Sequence, residues 1–343
     1  MKFIRRLKEL LALSACLAFL QGCATYAYEV TAVAGPGSAA FGINRYGHTV
    51  GAVDAGGGHE HAFLNTGSGA TDLGTLGGAD SRAWGLNDAG QVVGEAKNAA
   101  GVYRAFIYSG GSMNDLGTLG GAEGHARAIN NDGTVVGTTT LADGSARAFA
   151  YSGGVMANLG TFPSTGESYS RGYAINQHGA IAGSSSRGAF TPPDPPVHAF
   201  LRRASGKMLD LGTFGGAYSE AFGINDKDEV VGSAATTKLD ANDAFVYSGG
   251  VKHDIGTLPP NNYAQAFDIN NRSQVVGTSA GSFVMPDRGF LYEHNQIVAL
   301  NELIDPGSGW TITDARAIND RRQIAGTGCK AGVCYAVRLD PTK

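Results

Sequence analysis

Glu220 and Asp314 occupy equivalent places in two copies of a recurring motif, and carboxylates so placed could do chemistry. Set across a cleft at a suitable separation, two such groups can act as acid and base on a glycosidic bond. They belong to a set of seven residues, Ala39, Arg82, His125, Arg171, Glu220, Gln265 and Asp314, each five positions before a recurring asparagine. A mixed polar ring of this kind suits a polar or saccharide ligand, with Tyr169, Tyr218, Tyr263 and Trp310 in adjoining loops as stacking surfaces. It equally fits a solvated rim whose charges neutralise one another. His59-Glu60-His61 puts two imidazoles on one side of a strand start, where they could chelate a metal, but no other copy supplies a matching pair and a polar loop end accounts for them. Asn130-Asn131-Asp132-Gly133 lacks the ligand series and terminal glutamate of a calcium loop and reads as a turn. There is no Gly-x-Ser-x-Gly elbow, phosphate-cradling loop or dinucleotide fingerprint. No catalytic residue, metal ligand or cofactor is therefore assigned.

The elements that must position these residues are set by the repeat. An Ile-Asn or Leu-Asn pair recurs at Asn44, Asn87, Asn130, Asn176, Asn225, Asn270 and Asn319, at intervals of 43 to 49 residues. That period suits four-stranded propeller blades, and the 3.6-residue apolar stripes of helical repeats are missing. Each copy reads as four short strands, a to d, exemplified by Ala83 to Asn87, Gln91 to Ala96, Arg104 to Tyr108 and Asp115 to Leu119. The a-b turn is Asn-x-x-Gly in the first four copies; Asp228, Ser273 and Arg322 replace the glycine in the last three, which leaves their turn type open. Four positions before each asparagine stands alanine or glycine. Strict alternation puts that position on one face, with Phe41, Trp84, Tyr173, Phe222 and Phe267 on the other, so that small and large residues interlock neighbouring sheets. Asp72, Asp115, Asp210 and Asp254 are expected to cap the start of strand d.

The stretch Glu29 to Asn44 aligns on Asp72 to Asn87, so the folded part begins with a lone strand d and ends with strand c near Cys334 to Leu339. The expectation is an all-β, seven-bladed β-propeller of four-stranded blades over residues 28–340, a single domain closed by the N-terminal strand completing the last blade. One side of the disc carries uniform a-b and c-d turns. The other carries the variable b-c and d-a connections and ten of eleven prolines, including Pro192-Pro193-Asp194-Pro195-Pro196. Recognition is expected on that variable face.

Residues 1–22 read as a targeting segment: Lys2, Arg5, Arg6 and Lys8 precede an apolar run, Leu10 to Leu20, too short to span a bilayer. Leu20-Gln21-Gly22-Cys23 resembles the lipobox of bacterial lipoproteins. The resemblance implies cleavage before Cys23, its acylation, a short tether over 23–27 and an envelope location, with Ala24 favouring the outer membrane of a Gram-negative bacterium. An ordinary secretory signal cut near Ala27 is the alternative. Removing that segment's four basic residues and Glu9 from 26 basic and 30 acidic residues leaves a net charge near −7, which argues against a nucleic-acid surface. Cys329 and Cys334, in GCKAGVC, fit a hairpin disulfide in an oxidising compartment better than half a metal site.

His61-Ala62-Phe63 and His198-Ala199-Phe200, degenerate triplets such as Arg104-Ala105-Phe106, and the DLGTLGG and IN-x-x-G-x-VVG runs resemble the HAF-repeat group of bacterial exported proteins. That resemblance implies an extracytoplasmic repeat protein with no established catalytic residues. The expected function is a lipid-anchored binding module for envelope or extracellular polysaccharide or protein. The alternatives are a carbohydrate-active enzyme using Glu220 and Asp314, and a structural assembly subunit.

Overall fold

Each repeat folds into antiparallel strands in sequence order, as in Gly77–Leu86, Val92–Asn98, Tyr103–Ser109 and Ser112–Asp115. The computed structural model describes residues 27–163, 168–187, 196–204, 206–238, 241–280 and 287–342, so the targeting segment, Cys23 and Pro192 to Pro195 lie outside the described residues. Four sheets have four strands each. In a fifth, three such groups are chained through single parallel pairs, Val197 with Tyr218 and Asn242 with Tyr263. Among the described residues no sheet closes on itself. The sheet of the last repeat takes its outer strand from the beginning of the chain: Tyr28–Pro36 lies antiparallel to Val333–Pro341, with Tyr28 opposite Pro341.

The DLGTLGG run is divided differently from the sequence expectation. Strand d ends at its aspartate and strand a begins at its second-last glycine, as Ser112–Asp115 and Gly120–Ile129 show. The aspartate caps the end of strand d at Asp72, Asp115 and Asp210, while at Asp254 the strand runs on to Gly256; in each its carboxylate accepts the amide of the glycine two residues on. These bonds are 2.7 Å at Asp72, 2.8 Å at Asp115, 2.7 Å at Asp210 and 2.7 Å at Asp254.

Each recurring asparagine does two jobs. Its Oδ1 accepts amides within its own turn, as from Ala89 and Gln91 to Asn87 at 3.1 and 3.0 Å. Its Nδ2 donates to the carbonyl of the next repeat's asparagine. This ladder runs from Asn44 through Asn87, Asn130, Asn176, Asn225 and Asn270 to Asn319, with lengths of 3.0 to 3.3 Å. Asn319 then donates to the carbonyl of Asn44 at 2.9 Å. Aspartate could accept but not donate, which accounts for asparagine at every step. The turn is the same in all seven repeats, since Asp228, Ser273 and Arg322 adopt the positive φ of the glycines they replace.

Packing between repeats uses the small residues. Ala40, Ala83, Ala126, Ala221, Ala266 and Ala315 are fully buried, and so are Phe63, Phe106, Phe149, Phe200, Phe245 and Phe290 of strand c. The glycine of Val-Val-Gly faces both strand a and this phenylalanine: a Cβ on Gly94 would stand 1.9 Å from the Arg82 carbonyl oxygen and 2.8 Å from Phe106 Cε1. Buried serines join successive repeats, as where Ser219 Oγ accepts the Ala199 amide at 2.9 Å and donates to the Gly212 carbonyl at 2.6 Å.

Candidate ligand-binding site

Strand a lines the centre of the molecule. Its alternation is interrupted in every repeat by a bulge at the residue three before the asparagine, so pairing skips Phe41, Trp84, Arg127, Tyr173, Phe222, Phe267 and Arg316. These residues are half-buried around a cavity of about 550 Å³, not wedged between sheets as strict alternation predicts. Phe41 stacks on Trp84 at 4.5 Å, and the Arg127 guanidinium lies 4.2 Å from the Trp84 ring. Across the cavity Phe222 contacts Tyr173 and Phe267 at 5.2 and 5.7 Å, and Arg316 lies 4.0 Å from the Phe267 ring. This belt is the feature that sequence reasoning missed. The aromatic residues were visible, but the bulge that turns them inward has no signature beyond the small residues on either side.

The polar ring divides into three parts. Arg82 pairs with Glu60 at 2.6 Å, and His125 Nδ1 lies 2.7 Å from the buried Glu95. Burial raises the Glu95 pKa, yet the His125 hydrogen bond and the charges of Arg127, His125 and Arg82 outweigh it and hold the carboxyl below its ordinary range. Asp314 accepts from Thr278 at 2.9 Å and Arg316 at 2.5 Å. Arg171, Glu220 and Gln265 meet in a cavity of about 350 Å³, together with Tyr169, Tyr218 and Tyr263. Glu220 Oε1 accepts from Tyr173 at 2.9 Å and Ser184 at 3.2 Å, with Arg171 at 3.8 Å. Burial, followed by the Glu220 charge, pushes the Tyr173 phenol up to about 12, so it remains a donor. Three tyrosines, an acid, an amide and a guanidinium give this pocket both aromatic rings and hydrogen-bonding groups.

Trp310 stands apart from this pocket, packed edge-on to Tyr335 at 5.6 Å. His59 and His61 engage different carboxylates, Asp80 at 3.0 Å and Asp72 at 2.8 Å. Cys329 and Cys334 form a disulfide across the last b-c hairpin.

Residues 212–338 match a family model described as a protein of unknown function, DUF3466. No HAF-repeat family is found, which corrects the resemblance drawn from the triplets. Those short motifs follow from packing. The first residue of the triplet pairs with the aspartate of Asp-Leu-Gly, at 2.8 Å for His61 and Asp72, 2.9 Å for Arg104 and Asp115, and 2.9 Å for His198 and Asp210, while the phenylalanine fills the core. Residues fixed by the geometry of one blade do not discriminate between families built from such blades. No curated protein matches the chain in sequence. In structure it is similar to the β-propeller domain of the Trilobed protease from Pyrococcus furiosus, which has an open velcro topology, at 11% identity and TM-score 0.55 over 92% of this chain and 96% of that one. It is also similar to Pyrococcus horikoshii acylaminoacyl peptidase, at 12% identity and TM-score 0.53 over 93% of this chain and 53% of that one. The Dos1 propeller is matched at 10% identity and TM-score 0.50 over 92% and 95% of the two chains. The chain is thus an all-β protein of the β-propeller type.

Proposed function

We propose that residues 28–340 form one seven-bladed propeller, closed by its N-terminal strand and held to the cell envelope through lipid on Cys23, and that it binds polysaccharide without catalysis. The observation that carries the binding reading is the convergence of Arg171, Glu220 and Gln265 with Tyr169, Tyr218 and Tyr263 around one cavity. Strands of successive repeats supply it: Arg171 lies in Ser170–Ile175, Tyr218 and Glu220 in Gly215–Ile224, and Tyr263 and Gln265 in Tyr263–Ile269, with Tyr169 just before the first. The return of the asparagine ladder from Asn319 to Asn44 and the pairing of the first strand with the last support closure. The lipobox-like Leu20 to Cys23 supports the anchor, and Ala24 after it supports an outer-membrane location.

Hydrolysis by Glu220 and Asp314 is the weaker reading. Asp314 is occupied by Arg316 and Thr278, whereas Glu220 is held by Tyr173 and Ser184 in the tyrosine cavity. The test is retention of the chain on immobilised envelope polysaccharide beside Tyr218→Ala and Arg171→Ala. Loss of an aromatic platform should weaken retention by about tenfold or more, by analogy with the aromatic anchors that dominate other interfaces. Equal retention of wild type and both variants would sink the site. No retention of any form would move the function to a protein partner or an assembly role.

A further inference from the structure

The face that carries the a-b and c-d turns concentrates its non-glycine turns with positive φ in one region. A groove of about 830 Å³ lies among the fifth, sixth and seventh repeats, lined in part by His253, Arg272, Tyr292, His294, Asn295 and Arg322. Of the six non-glycine residues with positive φ among the described residues, four line this groove: Ser273 (61°), His294 (52°), Asn295 (61°) and Arg322 (66°). At the same a-b position the first four repeats have Gly47, Gly90, Gly133 and Gly179 and the fifth has Asp228, and the c-d turns of the second, third and fifth repeats carry the pairs Gly110-Gly111, Gly153-Gly154 and Gly249-Gly250. Side chains have therefore been installed at left-handed positions, against backbone preference, around one groove. Outliers that cluster this way point to a function for the side chains gained.

The charges of the groove have a direction. Glu293 is already engaged by Gln274 Nε2 at 2.6 Å and Arg322 Nη2 at 3.4 Å. Asp254 accepts the Gly256 amide at 2.7 Å and neighbours Asp243. Arg322 Nε is buried without a hydrogen-bond partner. Arg272 contributes its main-chain amide to the turn through Asn270 Oδ1, and no ion pair holds its guanidinium among the described residues. The donors left once these pairs are made are the Arg272 guanidinium, Nε of Arg322, the imidazoles of His253 and His294, and the Asn295 amide.

We propose that this groove binds a phosphate group, with Arg272 and Arg322 donating to its oxygens and His253, His294 and Asn295 completing the shell. Guanidinium forks match tetrahedral oxyanions and hold them through charge-assisted hydrogen bonds. The source that fits best is a lipid headgroup. The buried hydroxyl of Tyr28, the first residue of the N-terminal strand, lies beside Arg322 and Glu293, so the chain enters the fold next to the groove. Cys23 lies five residues earlier, within a reach of ~17 Å. The choice of lipid as the source rests on the Cys23 anchor proposed above; the phosphate site itself does not.

The test titrates the intact chain with inorganic phosphate, beside Arg272→Gln and the double variant His294→Gly/Asn295→Gly. The double variant returns the turn to the glycine pair of other repeats and should fold at least as well as wild type. Affinity for phosphate should fall on the order of tenfold in each variant. In parallel, the Cys23→Ser chain is floated with phosphatidylcholine vesicles with and without phosphatidylglycerol. Flotation that needs phosphatidylglycerol and is lost with Arg272→Gln identifies a lipid headgroup. Phosphate binding without flotation identifies a soluble phosphate ligand. Binding of neither probe, or equal binding by wild type and both variants, overturns the proposal. The mass of residue Cys23 in the intact chain reports the anchor separately.

Discussion

Asp268 stands where the other six repeats have Gly42, Gly85, Ala128, Ala174, Gly223 and Ala317, and it lines the central cavity. Burial, only partly offset by the amides of Ile318 and Ile269, pushes its carboxyl from 3.8 up to about 7. The folded chain therefore keeps a proton that the unfolded chain releases near pH 4. Stability from this residue is full below that point and is lost as pH rises toward 7. Asp268→Ala removes the titrating group and restores the small residue of the other repeats. Thermal unfolding at pH 5 and pH 8 checks this: the melting temperature of wild type should drop by several degrees more than that of the variant. Parallel behaviour of the two would show that Asp268 does not titrate in this window. Nothing in the sequence marks this residue except its departure from the repeat, and a buried environment is a property of the neighbouring repeat's backbone.

At the scale of the strand, the serines that bridge repeats give the most direct test of inter-repeat packing. Ser219→Ala would leave the Ala199 amide and the Gly212 carbonyl without their shared partner, at a cost of about 1–3 kcal/mol for groups left unsatisfied in a buried place. Denaturant unfolding reads the loss, and a change below ~0.5 kcal/mol would mean that water replaces the hydroxyl. These serines were not singled out in the sequence, whereas the asparagine turns were read from it. Asn-x-x-Gly announces a hairpin because asparagine and glycine have local reasons to be there, and the turn persisted even at Asp228, Ser273 and Arg322. The bulge beside Trp84 and its counterparts is another matter. It shifts pairing by one residue and turns a large side chain from the packing face to the cavity, and alternation cannot register such a shift from within one strand. Division of DLGTLGG between two strands failed for a similar reason, since the capping aspartate is equally plausible at either end of a strand. Within the candidate site, the sequence placed Tyr169, Tyr218 and Tyr263 in loops, whereas Tyr218 and Tyr263 lie in the strands Gly215–Ile224 and Tyr263–Ile269. Their convergence with Arg171, Glu220 and Gln265 needed the strand register.

Closure of the whole molecule is a claim about the two ends of the chain. The Thr342 amide donates to the Ala27 carbonyl at 3.1 Å, and the strand that starts at Tyr28 supplies the outer edge of the last repeat's sheet. If that edge completes a ring, the terminal contact is as important as any between neighbouring repeats, and the position of the chain break is immaterial. Deleting residues 28–33 should then strip most of an outer strand and leave the Val337 to Pro341 edge unpaired, lowering stability by several kcal/mol, as loss of buried pairing does. A circular permutant that joins 342 to 27 through a short glycine linker and opens at Gly110-Gly111 should keep a melting temperature close to that of wild type. The opened site is an exposed glycine turn, where breaks are best tolerated. An open array of repeats would behave in the opposite way: deletion would cost little, because end repeats fray independently, and the permutant would move an adapted end into the interior. Comparing the two proteins by thermal unfolding separates the architectures, because a ring requires the deletion to be damaging and the permutation to be mild.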